Sequence, residues 1–403
     1  MITIAVIGGG AAGMMASVEA ASRGAAVSVF ERQNRVGRKL AVTGNGRCNL
    51  SNRNAGPASY HGSDGFFSAP ALEEFGVGET LAFFRRLGLV TVTEPGGRVY
   101  PLSDTAGSVV DVLRFAMEAA GVTLHTDCEI TRIEKREHGF RLVWQGGSFE
   151  ADRVIVACGG MAGERFGGTK LGYRLLEGFG HTCTPLRWSL VQLRSDNPAC
   201  RSLKGIRADA GVTVLRRGKT AAASAGEVQF TDYGLSGPAI FEISREALAE
   251  PGAVVALDLL RAVDAAELAE MLLARARSTP QLLMSDVFLG TVQNRLGRVL
   301  VAAAGIKASA GIGELNEKTA QKLAGLAKHF EFPIIGDMGP ANAQVTVGGI
   351  LTSNFNPETM ESRLCPGLYA CGEVLDIDGD CGGYNLQWAW SSGALAGRNA
   401  AEV

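Results

Sequence analysis

The N-terminal end of the chain limits its fold more than any other stretch. Ile2 to Ile7 is an apolar, β-branched-rich run, Gly8, Gly10 and Gly13 follow in the spacing G-x-G-x-x-G, and an alanine-rich segment of helical character continues to Ser22. This reads as strand, tight turn and helix. In such a unit Gly8 makes the turn, Gly10 lets the backbone approach a pyrophosphate, and Gly13 lets helix and strand pack closely. The phosphates then sit at the helix N-terminus, beside Ala11 and Ala12. Ala26 to Phe30 reads as a second, parallel strand. Glu31 follows directly, eighteen residues after Gly13, with Arg32 next to it; a carboxylate there accepts hydrogen bonds from the adenosine ribose hydroxyls. The expectation is an α/β domain that binds a dinucleotide.

A nicotinamide enzyme needs only this unit, whereas an FAD protein of the glutathione-reductase-like class adds a late segment that returns to the cofactor. "GLYACGEVLDIDGDCGGYNLQWAWSSGALAGRNAA", Gly367 to Ala401, has that form: a short strand from Leu368 to Cys371, Gly372-Glu373, a glycine-bearing loop containing Asp376 and Gly383, then a helix from near Asn385. Gly372 and Glu373 are expected at the ribityl-pyrophosphate region. The helix N-terminus, with Tyr384, Asn385 and Leu386, is expected to aim its positive end at the flavin edge where negative charge develops on reduction. "DRVIVACGG", Asp152 to Gly160, is a further apolar strand ending at Gly159 and Gly160 on the cofactor side. The stretch before it reads as strand, hairpin and strand, and Ile130 falls where such proteins place a backbone contact to adenine. The order of these elements favours FAD. No second G-x-G-x-x-G follows a strand, so NAD(P)H is expected to dock transiently as reductant, with dioxygen as the other open redox partner.

Composition narrows the partners. A chain of 403 residues suggests two or three domains, and a formal charge of −2 with pI about 6.3 gives no reason to expect nucleic acid or acidic membrane as a partner. A small-molecule substrate is the default. No apolar stretch approaches the roughly 18 residues needed to cross a bilayer, so a cytoplasmic protein is expected. Eight cysteines without a Cys-x-x-Cys pair fit reduced thiols and no metal site.

"GRKLAVTGNGRCNLSN", Gly37 to Asn52, together with the C-terminal "GEVLDIDGDCGGYNLQWAWSSG", resembles the BaiN-like, YhiN-type family of FAD-dependent oxidoreductases, members of which are also labelled aminoacetone-oxidase-like. "GRVYPLSDTAGSVVDVL", "FTDYGLSGPAI" and "AQVTVGGILTSNFNPETMESRL" extend the resemblance over essentially the whole chain. It implies a split Rossmann-like FAD domain with an inserted β-barrel-like domain that carries a small helical domain. The boundaries expected are residues 1–188 and 345–403 for the two parts of the FAD domain, 189–255 for the β-rich insertion, 256–332 for its helical subdomain and 333–344 for a returning strand. "DAAELAEMLLARARS" and "LNEKTAQKLAGLAKHF" space apolar residues as packing helices do. Two departures from the family pattern bear on substrate rather than on FAD: Asp232 stands where histidine is common, and Lys170-Leu171 where a Gly-Asp pair is common.

The flavin carries the hydride chemistry, so protein side chains need only orient the substrate, handle a proton and tune the ring. Lys39, Leu40, Gly44, Asn45 and Gly46 are expected to wrap the cofactor, and Arg47 either offers a donor to it or serves as an ion-pair partner. Cys48 and Cys381 raise a redox relay, although isolated cysteines more often behave as small buried hydrophobes. Tyr384 and Tyr233 are candidate proton donors, with packing and turn formation as their other readings. The substrate pocket is expected beside the exposed flavin face, next to the insertion. Reduction of an enone in a 3-oxo steroid or bile-acid compound is the leading activity implied by the resemblance. Oxidation of a small aminoketone, modification of RNA, and non-catalytic flavin binding are the alternatives.

Overall fold

The computed structural model describes residues 1–402, which divide into two compact units: Met1–Arg187 with the chain from Gln344 onward, and Trp188–Ala343. The first unit is built on a five-stranded sheet in the order Leu368–Ala370, Arg153–Val156, Thr3–Ile7, Ala26–Phe30, Thr123–His125, with every neighbouring pair parallel. Ile4, Ala5, Val6, Val154, Ile155 and Val156 are all fully buried, as expected where a parallel sheet is covered on both faces and its strands read as unbroken apolar runs.

Two helices dominate that cover: Ala11–Ala21, which follows the first strand, and the final helix, Tyr384–Ala401. They meet backbone to backbone. A Cβ on Gly393 would lie 2.5 Å from the Ala12 carbonyl oxygen, and one on Gly397 would lie 2.3 Å from that of Ala16. Glycines four apart share one helix face, so both contacts fall along a single seam. Trp388 and Trp390 are buried on the same helix, and their indole N–H groups donate to the carbonyls of Gly372 and Leu50 at 3.2 and 2.9 Å. The strand, hairpin and strand expected before Asp152 are present as Thr123–His125, which joins the parallel sheet, and the antiparallel strands Ile130–Lys135, Phe140–Trp144 and Gly147–Ala151.

The second unit is a closed barrel of six strands, ordered Leu193–Ser195, Gly234–Ser236, Lys219–Phe230, Arg207–Arg216, Val254–Asp258 and Phe330–Asp337. Val212, Val214, Val228, Phe230, Leu257 and Phe332 point inward, and closure leaves no unpaired edge. Two helices coincide with the periodic segments seen in the sequence. Ala265–Ser278 starts where the Asp264 carboxylate accepts from the Glu267 amide at 2.8 Å, and Glu317–Lys328 where Asn316 accepts from Thr319 at 3.0 Å. Pro238–Ala247 and Asn294–Ala303 are further helices that the sequence reading did not separate from their surroundings. Among the described residues no helix is long and apolar enough to cross a membrane.

Candidate active site

The glycine turn has the form a dinucleotide requires. Gly8 adopts φ +107°, its amide donates to the Phe30 carbonyl at 2.8 Å, and a Cβ there would fall 2.5 Å from the Ala157 carbonyl oxygen. On Gly13 a Cβ would sit 1.9 Å from the Gly8 carbonyl oxygen, so turn and helix touch at a distance only glycine permits. Gly10 is different: it is the N-cap of Ala11–Ala21, no side chain caps that helix, and no atom lies within 4 Å of where its Cβ would be. The first amides of the helix, around Ala11 and Ala12, are left for an anion. The Glu31 carboxylate is fixed beside them, accepting from the Gly9 amide at 2.8 Å and the Gln33 amide at 2.7 Å, with lone pairs remaining for hydroxyl donors. Arg32 is half-buried next to it. The Cys128 amide donates to the Glu31 carbonyl at 2.9 Å, which leads the chain past this edge to Ile130, a buried residue opposite Trp144.

Three distant segments converge on Glu373. One carboxylate oxygen accepts from the Thr346 amide at 2.8 Å and the other binds the Lys39 ammonium at 2.7 Å. The Thr346 hydroxyl accepts from the Ala162 amide at 2.9 Å, and a Cβ on Gly160 would press on both that hydroxyl (2.5 Å) and Glu373 (2.8 Å). Gly159, with φ +69°, faces open space. Gly372, with φ +76°, receives the Trp388 N–H on its carbonyl and donates its amide to Ser392 at 3.0 Å.

The stretch Leu40–Gly46 is a tight irregular turn anchored by buried Leu40, and Gly44, Asn45 and Gly46 all have left-handed backbones, at φ 56°, 57° and 83°. Asn45 is the non-glycine among them, a conformation that asparagine tolerates better than most residues. Arg47 follows. Its guanidinium is held by Glu94 at 2.6 Å and by Asp104, and lies 4.1 Å from the centre of the Tyr100 ring. Hydrogen bonds to Glu94 and Asp104 push its pKa further above the ordinary arginine range, so it releases no proton near neutral pH. Of the two roles read for Arg47, the structure provides the ion pair. Cys48 is fully buried, and burial pushes its thiol up to about 12, which removes the thiolate a redox relay needs. None of the eight cysteines is joined in a disulfide.

At the final helix the N-cap is Gly383, at φ +103°, again with no capping side chain and no acidic residue in the first turn. A Cβ there would strike the Ser51 carbonyl oxygen at 2.4 Å. The Tyr384 carbonyl accepts from the Tyr60 hydroxyl at 3.0 Å, and the two rings meet edge-on with centroids 6.5 Å apart. Asn385 uses its amide on the Gly379 backbone, donating and accepting at 2.8 Å each, which fixes the loop before the helix. Leu386 is half-buried against the core, and the buried Asp376 carboxylate accepts from the Ser63 amide at 3.1 Å. Tyr233 lies in the barrel unit, in a turn closed by the Thr231 amide on the Gly234 carbonyl at 2.9 Å; its own carbonyl accepts from Ser195. Asp232 pairs with Lys204 at 2.6 Å, and that partner holds its carboxyl below the usual range. Thr231 to Gly234 thus form a turn.

Sequence reasoning passed over one pair near the final helix. His61 follows Tyr60 on a short strand that runs antiparallel to Asp378–Gly379, and its Nε2 lies 2.8 Å from Asp380. The partners are 319 residues apart, so no local spacing announces them.

Uncapped helix N-termini at Gly10 and Gly383, open space at Gly10, Gly46 and Gly159, and a fixed ribose-side carboxylate fit FAD. The family model described as HI0933-like protein Rossmann domain matches residues 2–399. A 3-dehydro-bile acid delta(4,6)-reductase of Clostridium scindens is 38% identical over 408 residues, covering 100% of both chains. A ribosomal RNA dihydrouridine synthase of Escherichia coli is 31% identical, over 96% of this chain and 95% of its own. Among solved structures, 3-ketosteroid delta1-dehydrogenase from Sterolibacterium denitrificans in complex with 1,4-androstadiene-3,17-dione has a related fold, with TM-score 0.52, 14% identity and 100% of both chains covered. Glycine cradle, split sheet and end-to-end similarity lead to one conclusion: the chain belongs to the HI0933-like family and is an FAD-dependent oxidoreductase.

Proposed function

We propose that this protein reduces a carbon–carbon double bond conjugated to a carbonyl in an apolar ring compound of the 3-oxo steroid or bile-acid class, with NAD(P)H as reductant, in the cytoplasm. The observation that supports this most is the 38% identity, end to end, to a bile-acid delta(4,6)-reductase. FAD, when bound, supplies reversible hydride exchange. The chain's own residues do the rest: Glu31 holds the ribose side, the amides at Ala11 and Ala12 face the phosphates, and the uncapped start of the final helix favours negative charge near Tyr384.

A second reading has its own support, since ribosomal RNA dihydrouridine synthases are 31% and 30% identical over 96% of the chain. Both kinds of name describe a ring double bond gaining hydrogen, so the readings differ in what carries the ring. A formal charge of −2 favours the small apolar substrate, because polynucleotide binding rests on neutralising phosphates with lysine and arginine.

Anaerobic mixing separates the readings. NADH or NADPH should bleach the flavin absorbance, and a conjugated 3-oxo steroid should restore it, while a ribosomal RNA fragment should not. Recovery with RNA alone favours the second reading. Recovery only with oxygen or an aminoketone, with peroxide released, makes the protein an oxidase.

A further inference from the structure

We infer that His61, paired with Asp380, is the proton donor that completes the reduction. This rests on the function proposed above and adds a residue to it. Saturating a conjugated double bond adds a hydride at the β-carbon and a proton at the α-carbon. The hydride comes from the reduced flavin, and the proton must come from a side chain beside it or from water.

Most neighbouring groups are unsuited by their contacts. Tyr60 commits its hydroxyl hydrogen to the Tyr384 carbonyl, and burial pushes its pKa far above the tyrosine range. Arg47 is locked between Glu94 and Asp104, and Cys48 is buried. Of the five histidines, His125 is stacked on Phe30, His181 is buried against Phe355 and His138 lies in the hairpin turn before Phe140, while His61 stands on the strand that pairs with the segment leading into the final helix.

Its setting is built. Alternation along Tyr60–His61 sends Tyr60 into the core against Trp388 and leaves His61 half-exposed. Asp380, three residues before the N-cap of the final helix, is tied down at its backbone: its amide donates to the Ser59 carbonyl at 3.1 Å, and its carbonyl accepts from Asn385 at 3.3 Å. The imidazole therefore stands one residue from the side chain that touches the first turn of that helix, opposite a residue whose backbone is fixed independently. The titratable groups around it are Asp378, opposite it on the paired strand, Asp380, Tyr60 and Tyr384, with Asp376 beyond Ser63. In the reaction the imidazolium gives one proton to the α-carbon, becomes neutral while still hydrogen-bonded to Asp380, and is reprotonated by water. The Asp380 carboxylate, 2.8 Å from Nε2, holds the ring in one orientation.

The test uses the FAD-loaded protein and the variants His61→Gln and Asp380→Asn. His61→Gln should keep the flavin spectrum and the rate of flavin reduction, and slow reoxidation by a conjugated 3-oxo steroid by about 100-fold or more. Asp380→Asn should move the high-pH limb of reoxidation to lower pH. Imidazole NMR should show the titration midpoint of His61 falling in the same variant, a readout independent of turnover. If wild type is reoxidised and His61→Gln keeps pace within about threefold, the proposal fails while the function stands. A His61 midpoint unmoved by Asp380→Asn overturns the pairing. A wild type that no conjugated ketone reoxidises overturns the function, and the proposal with it.

Discussion

A methyl group added to Gly10 would meet no atom within 4 Å, whereas one added to Gly13 would lie 1.9 Å from the Gly8 carbonyl oxygen. The two glycines of one motif should therefore fail in different ways. Gly10→Leu should stay folded, with an unchanged urea midpoint in the FAD-free form, yet purify without yellow colour, because its side chain fills the space the pyrophosphate needs. Gly13→Ala should cost about 1–3 kcal/mol of stability before any effect on cofactor is considered. Glu270→Ala, at an exposed helix position, should retain flavin. Cys48→Ala should reduce its flavin at the wild-type rate in stopped flow, since a thiol pushed up to about 12 carries no current at neutral pH. At this scale the sequence was informative where one residue type is the only one a backbone allows, as at Gly8 and Gly13. It was silent where a long side chain chooses among distant partners: nothing within "TGNGRCN" says that Arg47 turns toward Glu94 and Asp104.

The helix pair Ala11–Ala21 and Tyr384–Ala401 shows how two effects of glycine compete within an element. Replacing a helical glycine by alanine gains up to about 1 kcal/mol of propensity. At Gly397 the new Cβ would lie 2.3 Å from backbone, an overpacking cost of roughly 1–3 kcal/mol, so Gly397→Ala should lower the urea midpoint. At Gly325, in Glu317–Lys328, a Cβ meets nothing within 4 Å, so Gly325→Ala should raise it. Elements with strong local signals were legible for that reason: the opening strand, turn and helix, the late strand and helix, and the two capped helices of the insertion. Pro238–Ala247 was not, because it leaves a strand through Gly237 at φ +106° with no side-chain cap to mark its start.

For the whole molecule, the acid limit of stability is set in part by His181, which is stacked on Phe355 at 4.5 Å and bonded to Ser362 at 2.9 Å. Burial lowers its pKa to about 4, against about 6.5 in an unfolded chain. Between those values the unfolded state binds the proton and the folded state does not, so stability falls as pH drops from about 6.5 to 4, by up to about 3 kcal/mol. Urea midpoints at saturating FAD should decline over that window in wild type and decline less in His181→Phe. The FAD-binding fold was legible from the order of glycine elements along the chain; the barrel was expected only through the family resemblance, since its closure depends on Leu193–Ser195 meeting Phe330–Asp337 across a long separation. That same order has a consequence for how the protein is made. Gly372 leaves the ribosome 362 residues after Gly10, on the order of half a minute later at typical elongation rates. The barrel unit is one continuous stretch and can fold while synthesis proceeds, but the nucleotide cradle has its first half waiting, with an incomplete sheet, until the last strand and helix emerge. Capture of FAD should thus wait for Gly372 and the helix that follows it, and a chain stalled before Gly367 should hold a folded barrel and no flavin.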